Sequence, residues 1–246
     1  MLDSKLALAA GTKMSKKLAI YLTNTDTRGW DADYADYAVM TAELLAPLLP
    51  DYEIDLFDAV AGTLPTQPCH YDGVVLTGSV ANVTEPEPWM QTLYEHIRRL
   101  DAAQVKLVGI CFGHQAIVHA LGGSVEAAQP QVGIAAISVK QRQAWMQPWQ
   151  PQVALLCGNF KQVLSLPEGF MILANHAHCR IPLYSKGEHI LGCQYHPEFS
   201  IDYVRLYTDQ VAAKIGPELT DKARQQLAGD HDGVLFGRWI ANFLQA

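Results

Sequence analysis

Gly109-Ile110-Cys111-Phe112-Gly113-His114-Gln115 follows a mostly apolar segment, residues 105–108, and opens a run with helical spacing. A Gly-x-Cys-x-Gly run between a strand and a helix is the nucleophile-elbow pattern, with cysteine in the serine's place. The glycines permit a turn too tight for side chains. Such a turn lifts the thiol above a sheet and aims a helix N-terminus at it. The partial positive charge and free N–H groups of that terminus favour a thiolate, the reactive form of cysteine.

Working outward, strands are expected over residues 18–22, 73–76 and 105–110, and over 52–57, where the residues alternate. The continuous apolar run Gly73-Val74-Val75-Leu76 suits a parallel strand covered on both faces. Helices are expected over 34–46, 89–101 and 114–121, the second with Leu93, Ile97 and Leu100 on one face. Asp31, Asp33 and Asp36 read as solvated charge at the start of the first helix. This β-α-β-β-α-β-α order predicts an α/β fold: a three-layer sandwich around a mostly parallel, flavodoxin-like sheet. Ligands of such sheets bind at the carboxyl ends of strands, where Gly78 and Cys111 both fall.

Between 123 and 194 the pattern changes to short strand-like runs at 134–139, 171–174 and 189–194, which predict a small antiparallel extension. Residues 141–152 repeat glutamine among Trp145, Pro148, Trp149 and Pro151. Two readings stand: a surface loop whose aromatics pack onto the domain, or a flap or partner contact. Residues 200–215 and 220–244 read as helices, the latter interrupted near Gly229 and Gly233.

Downstream of the elbow comes Gln194-Tyr195-His196-Pro197-Glu198-Phe199, a candidate base with a carboxylate two positions on. If Cys111 attacks a carboxamide carbon, the oxyanion needs preorganised N–H donors. Phe112, next to the nucleophile, and Gly78, where backbone can approach a ligand closely, are the candidates. His196 would take the thiol proton and return it to the leaving amine, with Glu198 fixing the imidazole.

Gly-Ile-Cys-Phe-Gly-His-Gln at 109–115, Tyr-His-Pro-Glu-Phe at 195–199 and Leu-Thr-Gly-Ser at 76–79 together resemble the class I glutamine amidotransferase family. The resemblance runs over roughly 17–200. It implies a catalytic triad of Cys111, His196 and Glu198 and an oxyanion hole from Gly78 and Phe112. It also implies substrate contacts at Gln115, Ser79 and His176. The substrate it implies is L-glutamine or a γ-glutamyl compound, opened through a thioester on Cys111. Two departures leave the acceptor open: Thr77-Gly78-Ser79 replaces a glycine/proline-rich loop, and Gln131-Val132-Gly133 stands where many members have Glu-x-Gly. With no synthase module after residue 200, the chain is similar to the stand-alone branch, like the glutaminase part of GMP synthase and γ-glutamyl peptidases. The rivals are a glutaminase subunit that works only with a separate synthase, and a catalytically silent binding or regulatory protein. Stress-response proteins with an elbow cysteine share the architecture, but the His-x-Glu pair argues against them.

The chain has 246 residues, enough for a domain with a sizeable core; residues 14–246 are expected to form one, after a flexible leader or non-native extension over 1–13. A formal charge of −7 without a long basic run argues against nucleic acid. No apolar stretch reaches membrane-spanning length. Five cysteines at irregular spacing imply no disulfide framework and suit a cytoplasmic setting. His176, His178, Cys179, Cys193 and His196 are ligand-type residues, but none forms a Cys-x-x-Cys pair, so neither metal nor cofactor is expected. A homodimer is compatible with the sequence.

Overall fold

The computed structural model describes residues 15–26, 29, 31–85 and 87–246. The expected leader, 1–13, lies outside them. The apolar runs pair in parallel: β1 (Lys16–Leu22), β2 (Tyr52–Asp58), β3 (Gly73–Leu76) and β4 (Lys106–Ile110) lie in the order β2-β1-β3-β4. Downstream come β5 (Ser124–Val139), β6 (Gln152–Ser165), β7 (Phe170–Ile172), β8 (Ala174–Asn175), β9 (Leu183–Lys186) and β10 (Ile190–Cys193). β10 joins β4 in parallel, and β9 and β7 extend that edge antiparallel. A second, antiparallel sheet has the order β6-β5-β8. The chain is thus an α/β fold with a mostly parallel seven-stranded sheet and a small antiparallel one.

The alternation of side chains along a strand sorts the core into two layers. Leu18, Ile20, Val75 and Val108 face α1 (Tyr37–Leu45) and α5 (Gly233–Gln245), meeting Leu45, Phe236 and Ile240. Ala19, Tyr21, Val74 and Leu107 face α2 (Pro88–Ala102) and α3 (Phe112–Ala120), meeting Leu93, Ile97 and Ile117. Both faces are buried, as a parallel sheet requires. Asp36 does more than carry solvated charge: its carboxylate caps α1, accepting from the N–H groups of Ala38 and Val39 at 2.8 and 2.9 Å.

The structure departs from the sequence reading in two places and chooses between two readings in a third. The antiparallel part is built on a long β5–β6 hairpin, and β6 has no counterpart among the expected strands. Gly158 interrupts its apolar pattern for a tertiary reason, since Tyr207 packs where a β-carbon would be, at 2.8 Å. The C-terminal helices divide differently: α4 (Ile201–Gln226) kinks at Gly216, whose φ of 80° precedes Pro217, and then continues. It stops before a clamp in which Ala154 N–H donates to Asp232 Oδ2 (2.8 Å) and Asp232 N–H donates to the Ala154 carbonyl (2.7 Å). Finally, the glutamine-rich loop is a strap on α5. Trp149 stacks on Trp239 with 9° between the rings, and Trp239 Nε1 donates to the Pro148 carbonyl at 2.9 Å. Asn242 Nδ2 binds the carbonyls of Trp145 and Gln147. The packing reading of this loop holds. No helix among the described residues is long and apolar enough to cross a membrane.

Candidate active site

Cys111 stands between β4 and α3 with φ 50° and ψ −100°, a left-handed conformation that costs a non-glycine residue energy and persists only when its surroundings impose it. The surroundings are the two elbow glycines. A β-carbon on Gly113 would lie 2.5 Å from the Leu76 carbonyl oxygen, and one on Gly109 would lie 2.6 Å from the Gly113 backbone. Helix α3 therefore sits directly on the ends of β3 and β4. Two backbone bonds lock the turn: Cys111 N–H donates to the Cys193 carbonyl (2.8 Å) and Gly113 N–H to the Thr77 carbonyl (3.1 Å).

His196 arrives from the end of β10. Its backbone N–H donates to the Leu156 carbonyl of β6 at 2.8 Å, which fixes the segment across both sheets. Its Nδ1 lies 2.7 Å from Glu198 Oε1, and both side chains are buried. The ring lines the same cleft as the Cys111 thiol and stacks on Phe199 at 3.9 Å with 5° between the planes. Burial by itself would lower the imidazole pKa. The charges of Glu198 and Cys111 oppose burial and prevail, and the pKa is pushed up to about 10. Cys157 and Cys193 are buried thiols pushed far up by desolvation, and Cys179 is pushed up to about 11. They are inert by the same physics.

Gly78, at the end of β3, closes the site. A β-carbon there would lie 2.7 Å from His196 Cε1 and 3.5 Å from Cys111 Cβ. Its carbonyl accepts from Thr23 Oγ1 at 3.0 Å, which ties the loop to β1. No hydrogen bond engages the Gly78 N–H among the described residues, and Phe112 N–H, first in α3, has no helical acceptor.

Cys111, Gln115, Ser79 and His196 line one cleft of about 400 Å³ together with Lys161, Tyr207 and Lys214. Gln115 Nε2 donates to the Lys161 carbonyl and to Gln194 Oε1, both at 3.1 Å. Gln194 Nε2 in turn donates to Cys111 Sγ at 3.6 Å. Ser79 Oγ accepts from the Ala81 N–H within its own loop. His176 is placed elsewhere: it lines a separate cavity with His178 and Lys222, because the β5–β6 hairpin stands between the two spaces. His114 is fully buried, held neutral by desolvation at about 3, and stacked on Tyr184.

Sequence reasoning missed Gln194, Tyr37 and Lys161 as neighbours of the thiol. Gln194 was legible, since positions two apart on a strand share a face and it lies two before His196. Lys161 was not, because it depends on the unrecognised β6.

The family model "Glutamine amidotransferase class-I" matches residues 49–203. Gamma-glutamyl peptidase 3 of Arabidopsis thaliana is 26% identical over 246 residues, covering 95% of this chain and 98% of its own. The glutamine-hydrolyzing GMP synthase component of Sulfurisphaera tokodaii is 30% identical over 130 residues, 52% of this chain and 68% of its own. A glutamine amidotransferase of Thermotoga maritima superposes with TM-score 0.74 at 16% identity, covering 94% of this chain and 99% of its own; the likeness is one of fold. The family model spans well over half of the sequence, and the chain belongs to the class-I glutamine amidotransferases.

Proposed function

We propose that the chain is a cysteine-dependent hydrolase that releases glutamate from the γ-amide of a γ-glutamyl compound, with Cys111, His196 and Glu198 as the catalytic groups. The observation that carries this reading is the buried Glu198–His196 pair, 2.7 Å apart, in one cleft with the thiol of a strained elbow cysteine. Cys111 sulfur attacks the γ-carbonyl carbon, and the N–H groups of Phe112 and Gly78 receive the oxyanion. Collapse of the tetrahedral adduct breaks the C–N bond, and His196 Nε2 gives its proton to the departing nitrogen. A water molecule, losing a proton to the now neutral His196, then attacks the thioester. Glutamate leaves and the thiol–imidazole pair is restored. Gln115, whose amide N–H groups are both engaged, offers its Oε1 to the substrate's α-ammonium, and Ser79 lies on the opposite wall.

Two observations favour a γ-glutamyl peptide over free glutamine. The relative named as a peptidase aligns with nearly all of this chain, whereas the relative named for GMP synthase aligns with about half. The cleft also extends past the thiol to Lys161 and Lys214, with no carboxylate among its lining residues. Those cations suit a leaving amine that carries a carboxylate. The test is glutamate release by the isolated protein from L-glutamine and from γ-glutamyl dipeptides, with Cys111→Ala as the blank. Cys111-dependent release from the dipeptides supports the proposal. Release from glutamine alone would make it a glutaminase and start the search for a synthase partner. Release from neither would leave the partner-gated or silent alternatives.

A further inference from the structure

The cavity that holds His176 is lined on one side by β5 and on the other by α4, and measures about 200 Å³. Beside Gln129, Gln131 and Gln226, its charge-bearing lining is of one kind. His176, His178 and Lys222 line it, and no aspartate or glutamate does. The hydrogen bonds fix how His176 presents itself. Its Nδ1 accepts from the His178 backbone N–H at 3.2 Å. The neighbouring Tyr195 hydroxyl, 3.2 Å away, spends its proton on Gln131 Oε1 at 2.9 Å. An Nδ1 that accepts is unprotonated, so the neutral ring carries its proton on Nε2. Among the described residues no hydrogen bond takes up that Nε2–H, and no hydrogen bond or ion pair engages the His178 ring nitrogens or Lys222 Nζ. Desolvation, then the charges of His178 and Lys222, lowers the pKa of His176. The charge-bearing side chains that line the cavity are thus all basic, and no hydrogen bond takes up the His176 Nε2–H or the Lys222 ammonium among the described residues. Ile134, Ala135 and Cys157 line it with apolar surface, and Cys157 also borders the cleft of Cys111.

We propose that this second cavity is a binding site for a small molecule bearing an oxyanion, held by His176, His178 and Lys222. A phosphate or carboxylate group there accepts the Nε2–H of His176 and the ammonium protons of Lys222, and its charge complements the basic lining. The site stands apart from the thiol chemistry and does not depend on the reading of Cys111.

The experiment is calorimetric titration of the intact chain with inorganic phosphate and, separately, with glutarate. Native protein, Lys222→Met and Lys214→Met are compared. Lys222 is exposed, so its replacement is expected to leave the fold intact; Lys214 borders the other cleft and serves as the control. The expected result is saturable one-site binding of at least one anion. Lys222→Met weakens it about tenfold, and Lys214→Met changes it less than about twofold. Preference for phosphate assigns a phosphorylated ligand, and preference for glutarate a carboxylate. Absence of saturation by either anion overturns the proposal. So does binding that Lys214→Met weakens and Lys222→Met leaves unchanged, because the anion would then sit in the cleft of Cys111.

Discussion

Glu198 determines the charge state of His196, and its replacement separates charge from shape. Glu198→Gln keeps the volume and an acceptor for Nδ1 but removes one of the two charges that together outweigh burial. Turnover is expected to fall by roughly 10²- to 10⁴-fold, the range over which positioned acid–base groups act. The sign with pH follows from a folded pKa near 10 against an ordinary 6.5. The charged imidazole is present below 6.5, and its contribution to stability is complete there; both charge and contribution are lost as pH rises toward 10. Leaving-group protonation therefore persists into alkaline solution in the native protein, and the alkaline limb of kcat/KM lies near 10. In Glu198→Gln the limb moves to lower pH. A profile whose alkaline limb stays in place would show that Glu198 does not set the proton affinity of His196. The three central residues were legible because Gly-x-Cys-x-Gly and His-x-Glu are chemical patterns as well as family ones. His176 was placed in the wrong space, because a histidine-bearing loop near the site in sequence order says nothing about which side of a hairpin it lands on.

At the scale of elements, the elbow works because α3 rests on strand ends with no room between them. Gly113→Ala places a methyl 2.5 Å from the Leu76 carbonyl oxygen, against backbone that cannot rotate away. Destabilisation of about 1–3 kcal/mol is expected in denaturant melts, with loss of activity as the cysteine is re-aimed. An unchanged midpoint would mean that α3 can shift outward freely. The strap on α5 makes the opposite forecast. Trp149→Ala removes a stacked indole from Trp239 and should cost about 1–3 kcal/mol while leaving kcat and KM within about twofold. A selective change in KM would restore the flap reading. β1, β3 and β4 could be read from the sequence because burial on both faces leaves apolar runs, and β2, at the sheet edge, because its residues alternate. β6 could not. Its Gly158 and its mixed polar face answer to α4, an element distant in sequence, and periodicity carries no trace of that contact.

At the scale of the whole molecule, the cleft exists because distant parts of the chain converge on the carboxyl edge of the sheet. Tyr37 comes from α1, Ser79 from the end of β3, Cys111 from the elbow, Lys161 from β6 and Lys214 from α4. The Cys111 thiol lies at the end where α3, β3 and β10 meet. The two lysines come from the hairpin and the long helix that overhang it. Lys214 Nζ sits 3.8 Å above the Phe160 ring, a cation–π contact that orients the ammonium without cancelling its charge. On the proposed function, amide cleavage falls to the inner elements and recognition of the leaving group to the outer ones. Lys214→Met should accordingly raise KM for a γ-glutamyl dipeptide with a free C-terminal carboxylate by about three- to tenfold, the worth of one partly exposed charge contact. KM for the corresponding C-terminal amide, and kcat for both, should change by less than about twofold, since the lysine lies away from the reacting atoms. Equal losses on acid and amide substrates would show that α4 supports the cleft without reading charge.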